Sequence, residues 1–122
     1  MLIIKNKKME TKKLKIKKIK IPIYDAEINV CTGDYDEYCD YISERYDVSR
    51  TNVCCYANMA QTNDFGLVQW CWFEDNIKMP IIVHEFSHAI FGIMKDIGID
   101  ISDEEVFCYM IEYVLNEFSC NT

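Results

Sequence analysis

The residues best suited to chemistry are His84-Glu85-Phe86-Ser87-His88, an H-E-x-x-H pattern with apolar runs on both sides. On an α-helix, positions i and i+4 lie on one face about a turn apart, so two imidazoles at that spacing can reach one ion. Glu85 sits beside them and not in line. It is placed to hold the metal's water instead of the metal, which is the general-base role in zinc hydrolysis. The chemistry would be metal-assisted hydrolysis of a peptide bond. Zn2+ polarises the carbonyl and lowers its water's pKa towards about 7, and Glu85 takes the proton and passes it to the leaving group. A chance match in a chain of this length is on the order of a few per thousand. Both histidines of the protein fall inside the pattern. The ordinary alternative is an amphipathic helix with a core stripe of Ile82, Phe86, Ile90, Ile93 and Ile97, and Ala89 beside it. That explains the stripe, but not why the only histidines sit together on an otherwise apolar helix.

A catalytic zinc site takes three protein ligands and leaves one position open. The continuation H-E-x-x-H-x-x-G-x-x-H is absent, because positions 91 and 94 are Phe91 and Met94 and Gly92 comes one place late. Asp96 falls on the wrong face of the same helix, and Asp100 and Asp103 remain as alternatives. Glu104 and Glu105 open the next helix; Glu105 lies 17 residues after His88, enough for a turn that folds this helix back on the first. Yet Ser102-Asp103-Glu104-Glu105 is also a capping box, in which Glu105 would reach back to the Ser102 N–H. Helix start and metal ligand compete for one carboxylate, with Glu104 as the substitute. Glu112 is either an acceptor for a histidine N–H or a solvated charge.

From residue 80 to 112 the chain resembles the gluzincin class of zincin-like metallopeptidases, in which a Glu on a following helix completes the two His ligands. The H-E-x-x-H helix is followed by Asp103-Glu104-Glu105-Val106-Phe107-Cys108-Tyr109. More narrowly, it is similar to small zincin-like proteins encoded by bacteriophages, with a strand and helix region before H-E-x-x-H and a late Glu-x-x-x-Tyr element. The resemblance implies His84, His88 and Glu105 as zinc ligands and Glu85 as the base. It also implies that Tyr109 hydrogen-bonds the site or a developing oxyanion. The implied fold is an α+β, zincin-like single domain. In it a small twisted antiparallel or mixed sheet packs on the active-site helix, which a second, C-terminal helix follows. The spacing from His88 to Glu105 is slightly shorter than in the large gluzincin peptidases, and their second domain, the far wall of the cleft, has no counterpart here. Those two departures motivate a rival from another class: a non-enzymatic, phage-type interaction protein that binds a host protein and uses the zincin core as scaffold. A purely structural zinc is a third possibility.

The elements that must position these residues can be sketched from the pattern. Leu14 to Val30 alternates, with a slip at Lys17-Lys18 and then Pro22, and predicts an edge strand or a pair of strands with a bulge and a lysine-guarded edge. Cys31-Thr32-Gly33-Asp34 predicts a turn, with Asp34 capping a helix through about Tyr46. Val53 to Ala60 predicts a buried strand, Gln61-Thr62-Asn63-Asp64 a turn, and Leu67 to Phe73 a second strand whose Trp70 and Trp72 share one face. The active-site helix is predicted from Ile81 to about Ile97, after Pro80 and before Gly98, and a last helix from about Asp103 to Phe118. A strand beside the active helix would pair with an extended peptide.

Composition sets the outer limits. With 122 residues, 50% hydrophobic, and only 4 Gly and 2 Pro, the chain can bury a sizeable core as one domain. Residues 1–20 hold nine Lys against one acid, whereas the remainder holds four basic residues against nineteen acids. We therefore expect a basic arm over 1–13 and a zincin-like domain over 14–122 whose acidic body does not bind nucleic acid. The seven cysteines are odd in number, form no C-x-x-C pair and follow no secretory signal, which points to reduced thiols in a cytoplasmic protein. Cys54-Cys55 has no second pair with which to ligate a metal and reads as buried small apolar residues. No apolar run approaches a membrane span. The expected partner is a peptide or protein substrate; the oligomeric state is open.

Overall fold

The computed structural model describes residues 13–55 and 59–120. The expected basic arm over 1–13 lies outside these, apart from Lys13. Strand β1 (Lys15–Ile21) and strand β2 (Ala26–Thr32) form an antiparallel pair, joined by a 3-10 turn over Pro22–Tyr24. The pairing runs unbroken from Lys15 opposite Thr32 to Ile21 opposite Ala26, so there is no bulge at Lys17-Lys18. The slip acts differently: it changes which face carries the apolar residues. Ile19 and Ile21 are buried, whereas Ile16, on the opposite phase, is 42% exposed.

Helix α1 (Tyr35–Tyr46) begins where expected, with Asp34 accepting the Glu37 N–H at 3.0 Å and Asp36 and Glu37 in the first turn. A short helix α2 (Arg50–Val53) follows. Strand β3 (Ala60–Phe65) and strand β4 (Val68–Phe73) form an antiparallel hairpin. This corrects the expectation for Val53 to Ala60. Val53 ends a helix, residues 56–58 lie outside the described set, and the polar run Gln61-Thr62-Asn63-Asp64 is the strand and not the turn. The polarity misleads because Gln61 and Asn63 are bonded inward: Gln61 Oε1 accepts from Tyr35 Oη at 2.6 Å and Asn63 Oδ1 from Tyr38 Oη at 2.7 Å.

The four strands form one mixed sheet in the order β1-β2-β4-β3, with β2 and β4 parallel. Strand alternation sends side chains to two faces. Ile28, Val30, Cys71 and Phe73 meet helices α3 (Met79–Asp96) and α4 (Glu104–Cys120) on one face. Cys31, Trp70 and Trp72 meet α1 and Val53 on the other. Both indoles therefore cover the α1 layer, as their spacing predicts, and their N–H groups are satisfied by Tyr46 Oη at 2.7 Å and the Gly33 carbonyl at 3.0 Å. Each fully buried isoleucine in these layers stabilises by about 1.5–3 kcal/mol. Among the described residues the architecture is α+β: a four-stranded mixed sheet with four α-helices.

Helix α3 ends in a Schellman turn. Gly98, at φ +80°, donates to the Lys95 carbonyl at 3.2 Å, and Ile99 N–H reaches the Met94 carbonyl at 2.9 Å. The chain then turns back into α4, whose ring contacts run Phe91 to Phe107 and Phe86 to Phe118, so the two helices are antiparallel. Asp103 caps α4 by accepting the Val106 N–H at 3.2 Å, while the Ser102 N–H goes to Asp100 Oδ1 at 2.9 Å. The cap is thus Asp103, and the Ser102–Glu105 capping box is not formed.

Candidate functional site

The pattern of α3 divides its faces cleanly. Ile82, Phe86, Ala89, Ile90, Ile93 and Met94 are buried against the sheet and α4, which leaves His84 and His88 on the exposed face. Their rings meet edge to face with Nε2 atoms 3.1 Å apart. Two lone pairs cannot face each other at that distance. One ring must present its N–H to the other, or a cation must replace that proton. Zn–N bonds of about 2.0–2.1 Å require nitrogens closer than roughly 4 Å, and the pair meets that condition. As donors the two imidazoles fit zinc.

Glu85 is one residue round the helix, half-buried, and turned towards β3. Its Oε1 accepts from Thr62 Oγ1 at 2.6 Å, and its carbonyl lies 3.0 Å from the same hydroxyl. A hydroxyl has one proton, and the short contact to the charged oxygen is where it is best spent. Glu85 and His88 share a cavity of about 380 Å³ with Cys55, Ala60, Gln61, Thr62 and Asp64. Beneath them Cys71 is fully buried, and burial pushes its thiol up. The nearby Glu85 charge adds to that rise. Cys71 is therefore a protonated spacer, not a nucleophile. Ser87 is likewise occupied, donating to the Val83 carbonyl at 2.7 Å.

The third residue expected at the metal is not brought to the pair. Glu105 is exposed and borders a shallow cavity of about 260 Å³ with Ile23, Tyr24, Val106 and Tyr109. Glu104 and Glu112 are exposed on the same helix. Among the described residues, no three His, Cys, Asp or Glu side chains gather closely enough to hold a metal ion. Gathered in their place are residues that spacing could not reveal. Thr62 and Asp64 come from β3, and Gln61 and Cys55 border the same cavity. The available signal was the alternation of Ala60, Thr62 and Asp64, hidden by a composition typical of turns. No protein-family model matches the chain, and comparison with curated proteins and with solved structures finds none that matches it.

Proposed function

We propose that the protein is a zincin-like, zinc-dependent metallopeptidase that binds its ion through His84 and His88 and uses Glu85 as general base. The observation that carries this reading is the convergence of the two Nε2 atoms, 3.1 Å apart on an exposed helix face, beside a carboxylate that lines the adjoining cavity. When bound, zinc supplies Lewis acidity towards a peptide carbonyl and lowers the pKa of water. The chain supplies the rest. Thr62 holds Glu85 Oε1, which leaves Oε2 to accept a proton from water and return it to the leaving amine. Strand β3 has one partner, β4, among the described strands, so its other edge is available to pair with an extended peptide alongside Glu85 and His88. An edge of this kind orients the substrate backbone without selecting its sequence.

The test combines metal content with turnover. About one zinc per chain in the wild type, lost in His84→Ala and in His88→Ala, is expected. Glu85→Gln should keep the zinc and lose hydrolysis of an unstructured protein substrate by about 10²–10⁴-fold. Wild-type rates in Glu85→Gln would sink the reading. A second reading draws on the absence of a third His, Cys, Asp or Glu at the pair among the described residues. In it the chain is a non-enzymatic interaction protein that binds a partner protein and keeps this core as scaffold. Failure of the wild type to take up zinc, together with stable co-purification of a stoichiometric partner, would favour it.

A further inference from the structure

On the opposite face of the sheet, two cysteines distant in sequence are brought together. Cys39 lies on the buried stripe of α1 and Cys54 directly follows α2, and their Sγ atoms are 3.0 Å apart. The approach is held from both sides. Arg50 clamps α2 to α1 through Asp40 at 2.8 Å and Asp36 at 2.7 Å, and the Cys54 N–H donates to the Arg50 carbonyl at 3.0 Å. Access is unequal. Cys39 is buried, whereas Cys54 is half-buried and lines an open cavity of about 370 Å³ with Tyr35, Asp36, Arg50 and Thr51.

We propose that Cys39 and Cys54 are a redox-active pair that closes into a reversible disulfide when a peroxide enters this cavity, Cys54 reacting first and Cys39 resolving it. In the first step the Cys54 sulfur attacks one peroxide oxygen; an S–O bond forms, the O–O bond breaks, and the departing oxygen takes a proton and leaves as water, giving a sulfenic acid. In the second step the Cys39 sulfur attacks the Cys54 sulfur. The S–S bond forms, the S–O bond breaks, and hydroxide leaves with the Cys39 proton as a second water. The two thiols lose two electrons and one peroxide is reduced to two waters. A disulfide bond is about 2.05 Å long, so the sulfurs need close by only about 1 Å. Burial pushes the Cys39 thiol up, so the half-buried Cys54 is the one that meets the peroxide first. Independently of any metal, the bond also ties the Glu85 cavity to α1. Cys55, the next residue, lines that cavity and donates its N–H to Tyr35 Oη at 3.2 Å.

The full chain, reduced and then treated with a small excess of hydrogen peroxide, is denatured, alkylated, digested with trypsin and mapped by mass spectrometry. The expected result is a loss of two hydrogens, about 2 Da, and a cross-link joining peptide 21–45 to peptide 51–78. Fragment ions should place the bond at Cys39 and Cys54 and show alkyl groups on Cys31, Cys55 and Cys71. Dithiothreitol should restore the starting mass. Cys55→Ser should keep the cross-link and Cys54→Ser should lose it, while Cys39→Ser should leave a sulfenic acid at Cys54 that dimedone captures. Alkylation of both Cys39 and Cys54 after the exposed Cys108 and Cys120 have been oxidised would overturn the proposal. So would a cross-link that survives in Cys54→Ser, or the same pairing yield in denatured protein. The wild-type map needs no variant to fold.

Discussion

Thr62 shows how much a site depends on a residue that performs no chemistry. Its hydroxyl fixes one oxygen of Glu85 at 2.6 Å, so Thr62→Val should loosen the carboxylate without touching the histidines. On the proposed function, kcat should fall about tenfold with zinc content unchanged, measured by steady-state kinetics beside elemental analysis. A second residue-scale expectation concerns Cys31, fully buried in β2, where burial pushes the thiol from 9.0 up to about 12. The folded state holds that proton more tightly than the unfolded state. The stability this confers is complete below pH 9 and is lost as pH rises towards 12, by up to about 1.4 kcal/mol per pH unit. Thermal midpoints from pH 8 to 11 should fall, and Cys31→Ala should flatten the decline. His84, Glu85 and His88 were legible in the sequence because helical periodicity alone puts them together. Glu105 was not, since a count of residues from His88 says nothing of how α4 is rotated; its side chain borders Ile23 and Tyr24 instead.

At the scale of elements, α3 and the β3–β4 hairpin meet through a glycine whose importance the sequence disguised. Gly92 reads as a misplaced residue of a longer zinc motif, but a Cβ there would stand 2.5 Å from Gln69 Nε2 and 2.9 Å from Asp64 Cγ. The buried Gln69 amide donates to Asp64 Oδ1 and to the Gly66 carbonyl, and this polar knot has little room to move. Gly92→Ala should therefore destabilise by about 1–3 kcal/mol, read from urea midpoints, and should displace β3 from α3. Helices α1 and α3 were legible from their own signals, namely the Asp34 cap, Pro80 near a helix start and Gly98 at an end, whereas the short α2 was not. Strand β3 was not. Its Gln61 and Asn63 satisfy the hydroxyls of Tyr35 and Tyr38 on α1, partners 25 or 26 residues away, and no local pattern announces such a pairing.

Across the whole molecule, two apolar layers flank one sheet, and neither needs a metal to close. One is built on Ile28, Val30, Phe86 and Met110, the other on Tyr38, Ile42, Trp70 and Trp72. Chelation should accordingly leave the far-ultraviolet circular dichroism unchanged, whereas a purely structural zinc would unfold on metal removal. Among the described residues no helix is long and apolar enough to cross a membrane. The division into layers also gives the protein two native labels. Its only two tryptophans report on the α1 face and its only two histidines stand on α3. Indole emission therefore follows one layer while imidazole proton resonances follow the other, with no dye or isotope confined to a site. If the two signals disappear at one temperature, the sheet transmits unfolding across its full thickness; if they part, each layer melts as its own unit.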